Sequence, residues 1–451
     1  MSTSFLDHLA DYADGIRYER IPQNVVEQAI LTIADTVACV MSGSRHPDAL
    51  AVLASELARG GSGEVSVMGT ESRLSVEGAA RVNGYMGDIY ELNDLTCGHS
   101  GIGNVVASLA MAEFSRANGR ELLEALVTGI EVTSRIYSAY YPTMKPYTDV
   151  GIVPVGPAGS AGTAAACAKL LKLDRRGILN AMANSMAQAG WCPAEVIFGD
   201  GGTIKPLLFG SMPASSGIVG AIYAQHGISG PREILEGGMG YLKTVSKTYS
   251  AAPFLDTDTW YLGAPRRKLH ACCGYIHSAI DTLVALRKGG LDPATVAKVR
   301  VGMPAYIIAA VSKTHPPRTA NEARFHSQYC MALALWGEDV ILPEHSENMS
   351  DFISRPDIQR LVAAIEVVQD DALSHYHESN VEVLAADGRA LDKRFNGAPR
   401  GSSQNPLSKA DIWEKFERLS GVPGSGISLD AYRAQLERLA EAPGIEWIIR
   451  I

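Results

Sequence analysis

The sequence lacks the spacings by which most cofactor proteins declare themselves. It contains no CxxC, no HExxH, no Walker-type lysine loop and no GxGxxG, the patterns that hold zinc, nucleotide phosphates or dinucleotides. Its seven cysteines, Cys39, Cys97, Cys167, Cys192, Cys272, Cys273 and Cys330, are odd in number, and several fall in apolar helical stretches. Thiols so distributed fit a reduced compartment, and the expected location is cytoplasmic. The N-terminal segment carries Asp and His where a secretory leader needs basic and then apolar residues. No apolar run approaches the roughly 20 residues of a membrane span, so no membrane partner is expected. Charge of one sign is scarce too: a net charge of -9 is spread without long runs. That argues against a surface tracking nucleic-acid phosphates. A small anionic substrate would need positive charge concentrated locally.

What is present is a 451-residue chain with 46% hydrophobic and 20% charged residues, globular and long enough for two domains. The N-terminal half predicts helix after helix. In "IPQNVVEQAILTIADTVACVMSG", Val26, Ala29, Ile30, Ile33, Val37 and Val40 recur at helical spacing, and Gly43 supplies a stop. "AGSAGTAAACAKLLKL" is rich in small residues that let backbones approach. "GNVVASLAMAEF" and "AGTAAACAKLL" are apolar on more than one face, which points to a homodimer through the helical domain. Near residue 263 the texture changes. "VAKVRVGMP" (296–304) alternates like a strand, and "AAIEVVQDDAL" and "HESNVEVLAADGRALDKRF" add further strand signals, with a hairpin turn at "ADGR". A Gly/Pro/Ser/Asn-rich linker over 396–408 precedes two closing helices. The expected fold is mainly α: an all-α domain over 1–262, an inserted α+β domain over 263–400, and 401–451 returning to the helical domain.

Three stretches carry chemistry. "ELNDLTCGHSG" (91–101) gathers Glu91, Asn93, Asp94, Thr96, Cys97 and His99 at a break between apolar helices. Gly98 and Gly101 allow turns that would set these side chains around a concavity. A polar loop in which Asp94 or Thr96 caps the next helix uses the same residues, and the sequence leaves both readings open. His99 is the natural proton carrier near neutrality. In "FGDGGTIKPLLFG", Lys205 follows a Gly-rich run; the residues around it do not make a phosphate loop, but a lysine held there can clamp a carboxylate. "RRKLHACCGYIHSAID" sets Arg266, Arg267 and Lys268 beside His270 and His277. Adjacent Cys272 and Cys273 are poor metal spacing, so anion binding is the better functional reading, against a basic domain-boundary turn. Glu322, Arg324 and His326, and His375 and His377, read as structural.

Taken together, "NGYMGDIYELND" (83–94), "GGTIKPLLFG", "KLHACCGYIHSAID", "EARFHSQYCMALAL" and "DGRALDKRFNGAPRGSSQNPLSKADIWEKF" resemble the signature segments of the MmgE/PrpD family in order and spacing over essentially the whole chain. The resemblance implies a helical domain and a smaller α+β domain with the site between them, a homodimer, and neither cofactor nor metal. It places the family's acids on Glu91 and Asp94, its histidine on His99 and its lysines on Lys205 and Lys268, with His270 in place of a tyrosine and His277 beyond. Thr96 falls one position from the family threonine. Val153 stands where decarboxylases and dehydratases of the family usually carry histidine, Val155 replaces a threonine, and Asp88 replaces another histidine.

The function so implied is a cofactor-independent lyase acting on a small di- or tricarboxylate, first a hydro-lyase like 2-methylcitrate dehydratase. Lys205 and Lys268 would grip carboxylates, and His99 would move the proton. Asp94 and Glu91 would tune the imidazole or act as base, and Thr96, His270 and His277 would contact substrate. An epimerase or decarboxylase of a small polycarboxylate, like iminodisuccinate epimerase or cis-aconitate decarboxylase, is the alternative. A non-catalytic binding protein on the same fold is the third reading.

Overall fold

In the computed structural model, which describes residues 3–198, 204–421 and 428–450, the chain is mainly helical with one substantial sheet. The longer helices of the N-terminal part are α1 (Phe5–Gly15), α2 (Gln23–Gly43), α3 (Pro47–Gly60), α4 (Val76–Asp88), α5 (Ser100–Ser115), α6 (Gly119–Tyr140), α7 (Val155–Leu170), α8 (Arg175–Met186) and α9 (Met212–Gln225). A two-residue hairpin, β1 (Val65–Ser66) with β2 (Arg73–Leu74), interrupts them. The small residues of α7 let it lie against α5, α6, α8 and α9 at once.

Every residue of α5 from Ser100 to Ala112 is buried. The apolar faces that suggested a dimer are therefore consumed largely within one chain. Two stretches also correct the reading that no apolar run is long enough for a membrane. Gln23–Gly43 and Ile204–Gln225 have the length and composition, but 78% and 67% of their apolar windows are buried inside the fold. These are core helices, and their hydropathy reflects helices packed on all sides.

The smaller part is built on a four-stranded sheet in the order β4-β3-β5-β6, with β3 (Lys298–Met303), β4 (Ile365–Gln369), β5 (Ser379–Leu384) and β6 (Ala390–Asn396). β3 runs parallel to β4 and antiparallel to β5. Val299 and Val301 face Val383 and Val381 in register and turn one way, into the core beneath helix His277–Lys288. β6 presents Asp392, Lys393 and Arg394 on the open edge, charges that discourage pairing with another chain. The closing helix Lys409–Ser420 packs on α2. Its Lys415 ammonium lies 2.7 Å from Asp35 and donates to the carbonyls of Leu92 and Lys268 at 2.8 and 3.0 Å.

One crossing brings the site together. The π-helical turn Leu207–Ser211 passes over α4 where Gly84 meets Gly210, backbone to backbone. A Cβ on Gly84 would lie 2.5 Å from the Gly210 carbonyl oxygen. This approach carries Lys205, just before the turn, onto Asp88 in the last turn of α4. Alanine in a helix interior gains about 1 kcal/mol over glycine, but overpacking against an atom that cannot swing away costs about 1–3 kcal/mol. Gly84→Ala is expected to lower the urea unfolding midpoint and impair turnover together. An unchanged or higher midpoint would show that the crossing has slack.

Candidate functional site

The loop between α4 and α5 is held in an uncommon conformation. Glu91, Cys97 and His99 have φ of 54°, 37° and 62°, in the left-handed region that costs a non-glycine residue about 1–3 kcal/mol. Gly98 lies between two of them at φ 77°, and a Cβ there would run into the Tyr137 ring. The strain is offset from below. The Asp94 carboxylate accepts the backbone N–H of Thr96 and of Gly101, both at 3.0 Å. Thr96 Oγ1 donates to the Arg266 carbonyl at 3.2 Å and accepts the Arg266 N–H at 3.1 Å, while Leu95 N–H donates to the same carbonyl at 2.8 Å. Asp94 and Thr96 thus sit under the loop and fasten it to the segment entering the smaller domain; neither faces the cavity described below. The capping reading of Asp94 is the one its contacts support.

Four charged side chains meet beside this loop, all buried: Asp88, Glu91, Lys205 and Lys268. The Lys205 ammonium pairs with both Asp88 and Glu91. Lys268 donates to the Glu91 carboxylate at 2.6 Å and to its backbone carbonyl at 2.9 Å. Burial alone would raise the Glu91 pKa, but Lys205, Lys268 and His99 together pull it well below the usual carboxylate range. Asp88 moves the other way: burial raises it, and the Glu91 charge adds to that against the pull of Lys205. Burial works against the Lys205 charge, yet Asp88 and Glu91 hold its pKa above the ordinary lysine value.

This cluster sets the state of His99. Asn93 Nδ2 donates to Asp88 Oδ1 at 2.7 Å, the oxygen that also receives the Lys205 ammonium. The amide is thereby oriented, and its Oδ1 faces His99 Nδ1 at 3.1 Å. An amide oxygen only accepts, so Nδ1 carries the proton and Nε2 is left with a lone pair. Burial, then the Lys268 and Lys205 charges, push the His99 pKa well below its ordinary value, so the ring is neutral at neutral pH. Phe209, from the π-helical turn, fixes its plane edge-on at 5.0 Å.

His99, Glu91 and Lys205 open onto a cavity of about 70 Å³ between the two hydrophobic cores. Its walls are aromatic. Tyr137, Tyr141 and Tyr147 come from the end of α6 and the chain after it; Tyr275 and Tyr376 come from the smaller domain. Phe198, Phe209 and Phe325 complete the lining rings. They form a connected chain: Tyr147 to Phe198 at 4.9 Å, Phe198 to Phe325 at 5.4 Å, and Tyr275 to Tyr376 at 5.4 Å between centroids. Val153 and Val155 add apolar wall. Cys273 is a neutral thiol there, its pKa pushed up to about 12 by burial. None of the aromatic rings was singled out in the sequence, because they lie on separate segments with no local pattern.

The remaining sequence candidates lie behind the wall. Lys268 does not line the cavity and acts on it through Glu91. His270 accepts the Ile341 N–H at Nδ1, 3.1 Å away, and faces Asp281 with Nε2 at 3.1 Å. His277 donates to the Cys272 carbonyl at 3.3 Å and stands edge-on to His270. The pair is packing and brace for the start of the smaller domain. Arg324 reaches Ser346 and Glu347, and His326 caps its own helix. The Gly-rich run 199–203 lies outside the described residues. Among the described residues no three His, Cys, Asp or Glu side chains converge to hold a metal ion.

Comparison with known proteins gives two family matches: the MmgE/PrpD N-terminal domain over residues 7–253 and the MmgE/PrpD C-terminal domain over residues 270–425. A cis-aconitate decarboxylase of Aspergillus terreus is 23% identical over 450 residues, covering 92% of this chain and 88% of that protein. A cis-aconitate decarboxylase-like protein of Aspergillus oryzae is 25% identical over 473 residues, covering 97% and 96%.

The Asp94 cap has a pH signature. Burial, then the nearby Asp35, raises its pKa from 3.8 to about 6 against the hydrogen bonds from Thr96. A raised folded-state pKa contributes stability below the unfolded value that is lost as pH rises through the folded one. Asp94 therefore favours the fold most below pH 3.8 and loses that contribution by about pH 6. In Asp94→Asn this component should vanish. The difference in Tm, wild type minus variant, should shrink across that window, and a difference constant with pH would assign the titration elsewhere.

Proposed function

The chain belongs to the MmgE/PrpD family, and on that premise we propose that its cavity carries out carbon-acid chemistry beside a carboxylate, as a hydro-lyase. The observation that carries the reading is the neutral His99 with Nε2 unprotonated, set by Asn93 and standing next to the Lys205 ammonium. Such an imidazole takes protons; it has none to give at Nε2. The C–H bond next to the substrate carboxylate breaks, its proton goes to Nε2, and its electron pair forms the new double bond as the hydroxyl leaves from the neighbouring carbon. Lys205 offsets the charge that develops on the carboxylate side. The hydroxyl departs as water with a proton from the paired phenols of Tyr147 and Tyr275 on the cavity wall.

Decarboxylation is the second reading, supported by the similarity to the cis-aconitate decarboxylase of A. terreus and the cis-aconitate decarboxylase-like protein of A. oryzae. There the C–C bond breaks, CO2 leaves, and the carbanion takes a proton, so the site must begin with a donor aimed at carbon. An epimerase needs only the base and a return of its proton. Proton NMR in deuterated water on a panel of hydroxy acids and unsaturated acids separates the three. New olefinic protons mark elimination, deuterium exchange without net change marks epimerisation, and loss of a carbon marks decarboxylation.

His99→Gln is expected to lower kcat by roughly 100- to 10,000-fold with little change in KM, as loss of a general base does. Lys205→Met removes a buried cation between two acids and is expected to cost about 3–5 kcal/mol of stability, so its kinetics are read only alongside an unfolding curve. An unchanged kcat in His99→Gln would remove His99 from the mechanism.

We also propose that the working form is a homodimer. Large apolar side chains left on the surface of the described residues, among them Leu50, Phe114, Tyr223 and Ile228, would find cover there. Sedimentation at micromolar concentration should give twice the chain mass of 48.1 kDa; a monomer would contradict this.

A further inference from the structure

We propose that the substrate carries one carboxylate and a flat apolar group rather than two or three carboxylates. The inference rests on reading the cavity as the substrate site, and it concerns what the walls accept. Of the charged side chains lining the cavity among the described residues, the cation is Lys205 and the anion is Glu91. Lys205 is already drawn on by two carboxylates, Asp88 and Glu91. An ammonium has three N–H donors, so one remains, enough for a single carboxylate oxygen of the substrate. Lys268 donates twice to Glu91, is fully buried and does not line the cavity. A tricarboxylate would bring three negative charges to a neutral cluster. Desolvating them without partners is prohibitive.

The free positive charge is on the other side of the wall. Arg266 donates to the Tyr376 hydroxyl at 2.9 Å and, with Lys145, Lys247 and His375, lines an adjoining crevice. Tyr137, Tyr141 and Tyr147 separate the two spaces and belong to both. Inside, the substrate meets five tyrosine rings and three phenylalanine rings together with Val153 and Val155. Rings offer a flat or branched apolar body favourable stacking and edge contacts. The carboxylate end would sit at Lys205 and His99, and the apolar body along Phe198, Tyr275 and Phe325.

Cinnamate, an unsaturated aryl acid, and citrate are the probes, titrated calorimetrically into the wild-type protein and into His99→Gln. Cinnamate is expected to bind at least tenfold more tightly than citrate in both proteins, with a negative heat-capacity change and with NOEs from its ring protons to protein aromatic protons. Val153→Arg, which puts a guanidinium into the wall, should narrow or reverse that preference. Citrate binding as tightly as cinnamate or more so, or no cinnamate binding at all, overturns the proposal. Binding in His99→Gln keeps this test apart from the catalytic one. Cinnamate bound tightly while no hydroxy acid is dehydrated would sink the hydro-lyase reading and leave the specificity standing; citrate-type turnover with weak cinnamate binding would do the reverse.

Discussion

A lysine taken out of water has to be met by acids, and Lys205 is met by two. Its ammonium is buried between Asp88 at the end of α4 and Glu91 in the strained loop. The desolvation penalty of such an ion is several kcal/mol unless its geometry is met in full, so the position of each partner matters. Much else in the molecule serves that geometry. The Gly84–Gly210 crossing brings the lysine to α4. Lys268 shares Glu91 and so balances the second acid. Lys415, from the end of the chain, donates to the Leu92 and Lys268 carbonyls on either side of the cluster. Three distant parts of the sequence thus converge on a few buried charges.

The same cluster reaches the imidazole through an amide. Because Asp88 Oδ1 accepts from both Lys205 and Asn93, the Asn93 side chain has one orientation, and His99 one tautomer. Lys268 and Lys205 add to burial in keeping the ring uncharged. The ions thus do not touch the reacting atoms so much as decide the proton inventory around them. The left-handed backbone at Glu91, Cys97 and His99 is what that arrangement costs locally, with the Asp94 cap carrying part of it.

The elements with strong periodicity were legible in the sequence. The repeat of Val26, Ala29, Ile30 and Ile33 predicts α2, and the alternation of Val299, Val301 and Met303 predicts β3, because each pattern is local. Glu91, His99 and Lys205 were legible as residue types out of place in apolar surroundings. Lys268, His270 and His277 were equally conspicuous, but which way a side chain turns is a tertiary matter, and theirs turn into the protein. Asp94 was ambiguous for the same reason: a cap and a base are the same carboxylate until its hydrogen-bond partners are known. The aromatic walls were invisible because Tyr137, Phe198, Tyr275, Phe325 and Tyr376 come from five separate segments. The apolar run of α2 was missed as one of membrane length because Thr32, Asp35 and Thr36 interrupt it, although all three are buried in the core.

The clamp between Leu95, Thr96 and Arg266 has a mechanical side. Three hydrogen bonds tie the loop of the helical domain to the strand of chain that leads into the smaller one. His99 is only three residues further along. A hinge motion that parted the two cores would pull on this tether and twist the very turn that aims the imidazole. The aim of the base thus depends on how the two cores sit, because the turn that carries His99 is fastened to the segment entering the smaller domain.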